Sequence, residues 1–274
     1  MPNLLKMLAA LMLLALAASA APTRGAPGLF EIAGGTYRAV VPAGWDGVRK
    51  LPLVLYIHGY GQSSASVTED ETLVEAVTGS GALLVAPDGL VHSWSFAGSP
   101  SEGARDETAF LRAVVADAKQ RWPIDESQVI ATGFSIGGSV VWDLACHAAD
   151  GFAAFLPVSG GFWLPYPARC ESGPVNLRHI HGTNDGTVPL GGRTIRGRFN
   201  QGDIGAGFEI FKRTDACPEA AGRIEQQGEL KCWIWPSCAG GHELQMCLHP
   251  DGHEIKPEWL AAGIAWARGL RARP

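Results

Sequence analysis

Residues 133–137, with the sequence GFSIG, constrain the fold more than any other segment, because the patterns on their two sides differ in period. Residues 128–132 form the short apolar run of a strand, and residues 136–149 follow with the pattern of a helix. A sharp strand-to-helix turn needs small residues where the backbone crowds, and glycines stand at both ends of the segment. The turn therefore presents Ser135 at its apex and the amide of Ile136 at a helix start, although the five letters alone also fit an ordinary Gly-Ser turn.

Strand and helix patterns alternate along the rest of the chain. Residues 51–58 form a nearly continuous apolar run, as expected of a strand that is buried on both faces. The other predicted strands are residues 35–42, 82–86, 152–158, 175–181, 231–235 and 243–248, and the other predicted helices are residues 69–78, 106–121, 202–214 and 257–268. This alternation predicts an α/β fold with a doubly wound, mostly parallel sheet and helices on both faces, in a single domain of residues 22–274.

The N-terminus has the pattern of a secretory signal peptide. Lys6 precedes an apolar run over residues 7–18, and small residues follow up to Ala21. We expect residues 1–21 to be removed and the product to be secreted, extracellular or periplasmic, because the run is too short to span a membrane comfortably. The formal net charge of −5 gives no electrostatic basis for binding nucleic acid. We therefore expect neither nucleic-acid partners nor stable membrane association, and the oligomeric state stays open.

The six cysteines predict disulfides rather than a metal site. Their number is even, the chain is predicted to be exported, and no C-x-x-C pair occurs. No metal or organic cofactor is implied. Six cysteines allow fifteen pairings, and spacing about the predicted strands favours three, which are Cys146–Cys170, Cys217–Cys238 and Cys232–Cys247.

A serine nucleophile needs a base and an acid that orients the base, and in hydrolases built on such a turn the order is Ser, Asp or Glu, His. Asp185 directly follows a predicted strand, whereas Asp203 and Asp215 have no strand before them. Asn-Asp-Gly around Asp185 is also common turn chemistry. His253 follows the last predicted strand and precedes the last helix, while His242, the alternative base, lies in a hairpin turn. The sequence therefore predicts Asp185 as the acid and His253 as the base.

The loop after the buried strand 51–58 predicts the second half of an oxyanion hole. Its sequence, His-Gly-Tyr-Gly over residues 58–61, places the amide of Tyr60 where hydrolases of this kind supply a donor. The amide of Ile136 is the other predicted donor. A phosphate-binding loop is excluded because no Lys-Ser/Thr pair follows these glycines.

Together these segments resemble the secreted esterases of the α/β-hydrolase fold that include polyhydroxybutyrate depolymerases, feruloyl esterases and acetylxylan esterases. The matching stretches are residues 56–61, 106–111, 133–138, 181–185 and 252–253. The resemblance implies Ser135 as nucleophile, Asp185 as acid, His253 as base, and the amides of Tyr60 and Ile136 as oxyanion hole. In such relatives Trp-Pro often follows the Gly-His pair, but here Glu254 follows it. The resemblance therefore does not define the residues beside the histidine, nor the acyl or alcohol preference that they set.

The resemblance implies a small or polymeric ester as substrate. Hydroxyalkanoate esters or oligomers are the first expectation, and feruloyl or acetyl esters of plant polysaccharide are the alternative. A catalytically silent, carbohydrate-binding relative is the remaining possibility, although no triad position is substituted.

Several loop residues are candidates for lining the substrate cleft. Aromatic side chains follow predicted strands at Tyr60, Trp94, Phe96, Phe162 and Trp163, and each fits either a cleft or ordinary packing. His179 and His181 alternate on one strand and are predicted to be packed rather than ligating. The arginines at positions 193, 196 and 198 are predicted to form a solvated helix face.

Overall fold

The fold is described here over residues 28–270 of a computed structural model, so the signal peptide predicted for residues 1–21 lies outside the described part. Twelve strands are described, which are β1 Gly28–Ile32, β2 Gly35–Val40, β3 Leu51–Ile57, β4 Leu83–Pro87, β5 Ile124–Phe134, β6 Ala154–Val158, β7 Leu177–Gly182, β8 Arg193–Ile195, β9 Phe199–Gln201, β10 Arg223–Gln227, β11 Leu230–Trp235 and β12 Leu244–His249. The α-helices are α1 Ser64–Glu69, α2 Glu71–Thr78, α3 Glu107–Arg121, α4 Ile136–His147, α5 Ile204–Thr214 and α6 Pro257–Gly269. Within residues 28–270, no helix combines the length and the apolar character that crossing a membrane requires.

Ten strands form one sheet in the order β1-β2-β4-β3-β5-β6-β7-β12-β11-β10. The central pairs from β4 to β12 are parallel, and the outer pairs at both edges are antiparallel. Parallel strands bring their carboxyl ends to one edge of the sheet. The loops after β3, β5, β7 and β12 therefore meet at that edge, which is where ligands bind in such folds.

Helices cover both faces of the sheet, and the buried strands alternate between two cores. In β3, Leu53 and Leu55 pack in the cluster formed with α3, α4 and α5, whereas Val54 and Tyr56 pack in the cluster formed with α1, α2 and α6. Every residue of β3 is buried, which explains the continuous apolar run in the sequence. The predicted doubly wound, mostly parallel sheet is confirmed.

Four strands are missing from the sequence prediction. The lead-in before residue 35 contains strand β1, which pairs with β2 as an antiparallel hairpin. Residues 190–201 form the small β8–β9 hairpin, and residues 223–227 form edge strand β10. These strands have three to five residues. Strands of three residues are too short for a period to be recognised, and β10 consists mostly of polar residues.

Disulfides join Cys146 to Cys170, Cys217 to Cys238 and Cys232 to Cys247, the same pairs that the spacing favours. The last pair crosses between neighbouring strands, because Cys232 and Cys247 are register partners in β11 and β12. Such bonds persist in oxidising compartments. They are therefore consistent with an exported protein.

Asp215, at the end of α5, is a completely buried acid. Its Oδ2 accepts a hydrogen bond from the Val175 amide at 3.1 Å, and its Oδ1 has no partner within residues 28–270. Burial raises the pKa of Asp215 to about 7, against the opposing effect of the Val175 amide. Between the ordinary pKa of 3.8 and about pH 7, the folded chain thus keeps a proton on Asp215 that the unfolded chain has lost. The free energy of unfolding therefore falls as the pH rises through this window.

We expect Asp215→Asn to stabilise the protein at pH 8 by about 1–2 kcal/mol, because the amide cannot become a buried anion. At about pH 3, below the ordinary pKa, the carboxyl of Asp215 is protonated in both the folded and the unfolded chain, so the substitution should change the free energy of unfolding little. Urea denaturation at both pH values measures the effect, with Asp150→Asn, at an exposed carboxylate, as the control. Equal destabilisation at the two pH values would contradict the assignment.

Candidate active site

Ser135 lies at a strained turn between β5 and α4. Its φ of 60° and ψ of −124° fall outside the regions that side-chain-bearing residues favour. The turn is held by the Ser135 amide, which donates to the Val158 carbonyl at 3.0 Å, and by close packing of α4 on β3. A Cβ on Gly137 would overlap the Ile57 carbonyl, so only glycine permits this approach. The serine is thereby presented at the carboxyl edge of the sheet.

Asp185 and His253, 68 residues apart, form a hydrogen-bonded pair beside this turn. His253 Nδ1 donates to Asp185 Oδ2 at 2.7 Å, while Asp185 Oδ1 accepts from the amides of Thr187 and Val188, each at 2.8 Å. Burial acts to raise the pKa of Asp185. The hydrogen bond from His253 and the two amides outweigh it and hold this pKa below its ordinary value. The pair thus combines a carboxylate with an imidazole whose Nε2 is left to accept a proton.

The imidazole of His253 packs against the residue that precedes the serine. Its ring centroid lies 4.7 Å from that of Phe134. Ser135 and His253 share no hydrogen bond within the described residues, and such contacts are often longer before substrate binds. Serine, imidazole and carboxylate are nonetheless gathered at one edge of the sheet, where they can act on one substrate.

The alternatives for these roles occupy other positions. His242 hydrogen-bonds within its own turn, with Nδ1 2.9 Å from the Ala239 carbonyl. Asp203 caps α5 by accepting from the Ala206 amide at 2.7 Å. Asp215, described above, is buried beside Val175. Of the two candidate bases, His253 is the one that hydrogen-bonds to Asp185.

His179 and His181 form a buried hydrogen-bonded series behind Asp185. Trp142 Nε1 donates to His179 Nδ1 at 3.1 Å, and His179 Nε2 lies 3.0 Å from His181 Nδ1. Since an indole only donates, both histidines must carry their proton on Nε2. His181 Nε2 then donates to the Val188 carbonyl at 2.7 Å and lies 3.5 Å from Asp185 Oδ2.

Burial lowers the pKa of both His179 and His181, so the series is neutral. Both histidines are completely buried, in agreement with the prediction that they are packed. They support the loop that carries Asp185.

Two backbone amides near Ser135 lack the acceptors that their neighbours have. The amides on either side of Tyr60 donate to Gln62 Oε1 at 2.7 Å and to the His92 carbonyl at 2.9 Å. The Tyr60 amide itself has no acceptor within the described residues. The Ile136 amide, at the first residue of α4, lacks an intrahelical acceptor. Both amides are therefore available to a negatively charged oxygen.

His58 orients the loop that carries Tyr60. Its Nε2 accepts from the Gly89 amide at 3.0 Å, so Nδ1 carries the proton and donates to the Gly59 carbonyl at 2.8 Å. In a trans peptide the C=O and N–H groups point in opposite directions. Holding the Gly59 carbonyl toward His58 therefore directs the Tyr60 amide to the opposite side.

A cavity of about 410 Å³ opens over Ser135 and Ile136. Its other lining residues are Tyr60, Val91, Ser93, Pro100, Ser101, Ser139, Trp163, Thr187, Val188, Arg193, Ile195, Arg196, Phe199 and Gln201. The lining contains no histidine, cysteine or carboxylate, and it is largely apolar. This size is typical of a small-molecule site.

The structure places the predicted cleft aromatics differently. Tyr60 and Trp163 line the cavity, as predicted. Trp94 does not, because it is completely buried and its Nε1 donates to the His58 carbonyl at 2.8 Å beneath the loop. Phe96 and Phe162 line a neighbouring cavity of about 210 Å³ instead, and Phe96 packs edge-on against Trp163.

The three arginines are exposed, as predicted, but they lie on a hairpin and not on a helix. Arg193 begins β8, and Arg196 and Arg198 lie in the turn that joins β8 to β9. Arg193 and Arg196 line the cavity. The hairpin also contributes Ile195 and Phe199 to the cavity wall, and no sequence pattern signals these residues.

His249, Asp251 and Glu254 have metal-ligand spacing, with ligand atoms within 4.8 Å of one another. They do not line the cavity. Lys256 Nζ lies 3.4 Å from Asp251 and 3.2 Å from Glu254, so an ammonium group already pairs with both carboxylates.

Comparison with curated proteins gives a consistent group of relatives. Feruloyl esterase C of Emericella nidulans is 30% identical over 248 residues, which is 87% of this chain and 83% of the relative. A probable feruloyl esterase C of Aspergillus terreus is 28% identical over 224 residues, 79% of each chain. No family model matches the chain.

Solved structures share the fold. An acetyl xylan esterase from Aspergillus awamori superposes with a TM-score of 0.62 at 13% identity, covering 88% of this chain and 100% of that one. The feruloyl esterase module from Clostridium thermocellum gives 0.60 at 13% identity, covering 89% and 86%. The fold is the α/β-hydrolase fold, and the protein is a carboxylester hydrolase. Its chain belongs to the secreted esterase family that includes feruloyl esterase C.

Proposed function

We propose that Ser135, His253 and Asp185 form the catalytic triad. His253 Nε2 takes the proton of the Ser135 hydroxyl as Oγ attacks the ester carbonyl, and Asp185 stabilises the imidazolium through Nδ1–H. His253 then protonates the leaving alcohol. Water, deprotonated by His253, hydrolyses the acyl-enzyme and releases the acid. The observation that carries this proposal is the 2.7 Å contact between His253 Nδ1 and Asp185 Oδ2 beside the strained serine turn.

We also propose that the amides of Tyr60 and Ile136 bind the oxyanion of the tetrahedral intermediate. Both lie at the rim of the cavity that contains Ser135, and neither is used by a helix or strand. Removing one such donor in other hydrolases costs a factor of about 10²–10³ in kcat. A backbone donor cannot be deleted by substitution, so His58, which directs the Tyr60 amide, is the side chain that controls this site.

For the substrate we infer feruloyl or related hydroxycinnamoyl esters of plant polysaccharide, with acetyl esters as the second candidate. The similarity to feruloyl esterase C over 83% of its length supports the former. The cavity of about 410 Å³, with Trp163 and Phe199 in its wall, has room for an aromatic acyl group, far more than an acetyl group needs. The sequence first suggested hydroxyalkanoate esters as substrates, but none of the relatives named above is a hydroxyalkanoate esterase by name.

Secretion completes the proposal. Residues 1–21 act as a cleaved signal peptide, and residues 22–274 form one catalytic domain. The three disulfides suit an extracellular setting, where polysaccharide esters are encountered. Mass spectrometry of the exported protein would identify the mature N-terminus, which we expect at Ala21 or Pro22.

We expect methyl ferulate to be hydrolysed with a kcat/KM at least about 10-fold above that for 3-hydroxybutyrate dimers, since filling an apolar aromatic pocket contributes roughly 1–3 kcal/mol. Release of the acids, measured by chromatography, gives both constants. Acetylated xylan and 4-nitrophenyl acetate complete the panel as small-acyl substrates. A preference for the 3-hydroxybutyrate dimer would overturn the substrate assignment but leave the triad untouched.

A further inference from the structure

A strained arginine stands in the cavity wall. The turn between β8 and β9 is closed by the Arg198 amide, which donates to the Ile195 carbonyl at 3.1 Å. Its central residues, Arg196 and Gly197, have φ values of 51° and 64°. Natural hairpins place Asn-Gly or Asp-Gly at such a pair of left-handed positions. An arginine held there against the backbone preference points to a function for its side chain.

The charge of the cavity singles out the same residue. Arg193 and Arg196 are the two charged side chains of the lining. Arg193 is engaged, because its Nε donates to Gln201 Oε1 at 3.0 Å and its Nη1 to the Gly186 carbonyl at 3.1 Å. Arg196 is exposed and has no hydrogen bond or ion pair within residues 28–270. It is the cation of this site that is free to bind a ligand.

The charge of the cavity wall is opposite in sign to the net charge of the whole protein. The chain carries a formal net charge of −5, yet the cavity over Ser135 is lined by two guanidinium groups and no carboxylate. A concave site of one charge sign concentrates ligands of the opposite sign. Neutral esters gain nothing from this field, so a neutral substrate does not explain it.

We propose that Arg196 binds a carboxylate that the ester substrate carries away from the scissile bond, so that acidic esters react faster than neutral esters of the same size. The proposal rests on hydrolysis at Ser135. A guanidinium presents parallel N–H donors that match a carboxylate in two simultaneous hydrogen bonds. The carboxylate can belong to the alcohol part, as in an acidic sugar, or to the acyl part, as in a dicarboxylic acid.

Two matched substrate pairs separate these sources. For the alcohol part, 4-acetoxybenzoate is compared with 4-acetoxybenzamide. For the acyl part, methyl 4-carboxycinnamate is compared with methyl 4-carbamoylcinnamate. In each pair a carboxylate is replaced by a neutral amide of the same shape. The quantity measured is the ratio of kcat/KM for the acid to kcat/KM for the amide. Comparing this ratio between wild type and variant cancels the difference in intrinsic reactivity between the two substrates.

The informative variant is Arg196→Asn, since asparagine favours the left-handed conformation and should preserve the turn. We expect it to lower the ratio by about 10-fold in one of the two pairs, the effect of one charged hydrogen-bonded contact. Any loss on the amide substrates should be much smaller than the loss on the acids, and the Tm should be equal or higher. Arg196→Lys should retain part of the preference, because it keeps the charge.

Salt and a neighbouring arginine supply the controls. In about 1 M NaCl, where the Debye length is about 3 Å, the wild-type ratio should fall toward that of the variant. Arg198→Gln removes a charge from the same turn, but Arg198 lies over the Phe199 ring and does not line the cavity. It should leave both ratios unchanged.

The proposal would be overturned if Arg196→Asn left the ratio unchanged in both pairs, which includes equal losses on the acid and the amide. It would also be overturned if Arg198→Gln lowered a ratio as much as Arg196→Asn does. The acetate pair does not require a cinnamoyl preference. If the enzyme ignores cinnamoyl esters, the substrate assignment fails while this pair still tests Arg196. If Ser135→Ala retains full activity on 4-nitrophenyl acetate, the catalytic proposal fails independently.

Discussion

Ser135→Ala is expected to lower kcat for 4-nitrophenyl acetate by at least about 10³-fold, the usual cost of losing a nucleophile that acts together with its base. Alanine adopts the φ of 60° at this turn no less readily than serine, so the fold should be kept. Initial rates measured by absorbance, with the Tm from a thermal scan, check both statements. The variant should also fail to react with a fluorophosphonate probe.

Ser101→Ala is the matched control, because Ser101 lines the same cavity but does not lie at the strained turn between β5 and α4. It should keep near wild-type rates and react normally with the fluorophosphonate. Residual activity of Ser135→Ala above about a thousandth of wild type would remove Ser135 from its assigned role. A catalytically silent relative of the fold would show no labelling in the wild type either.

Asp185→Asn is expected to lower kcat by about 10⁴-fold with little loss of stability. The asparagine Oδ1 can still accept from the amides of Thr187 and Val188, so the loop should be retained. The new NH₂ group would donate to His253 Nδ1. The proton of the imidazole then moves to Nε2, which can no longer take the proton of Ser135. Steady-state kinetics on 4-nitrophenyl acetate measure the loss.

The control is Asp203→Asn, at the carboxylate that the sequence offered as a competitor. Asp203 caps α5, and asparagine caps a helix about equally well. We expect kcat to stay within about twofold of wild type, since no contact links Asp203 to His253. Comparable losses in both variants would show that Asp185 acts through folding rather than through the imidazole.

Local patterns were enough to predict most of the sheet. The strand–turn–helix around Ser135 was recognisable because its period changes within a few residues and glycines mark both sides of the turn. Asp185 and His253 could be selected since each follows a strand, and the carboxyl ends of parallel strands meet at one edge. The structure brings this pair to 2.7 Å, as their placement after neighbouring strands β7 and β12 requires.

The wall of the cavity could not be predicted in the same way. The β8–β9 hairpin has strands of three residues each, too short to show a period, and its arginines resemble a helix face at the level of sequence. Trp94 follows a strand like the true lining residues. Its burial depends on the carbonyl of His58, which is 36 positions away. Such positions are decided by contacts that are distant in sequence.

The sequence by itself determined the α/β architecture, the serine turn, the order of serine, acid and base, and a plausible disulfide pairing, because each rests on local period, small residues or strand ends. The tertiary structure alone decided which side chains line the cavity over Ser135. It buried Trp94 beneath the loop of Tyr60, locked the tautomers of His179 and His181 through Trp142, and folded a hairpin that brings Arg196 to the cavity. The proposed catalytic residues follow closely on strands whose carboxyl ends lie at one edge of the sheet, whereas the cavity wall is built from loops that only long-range packing places.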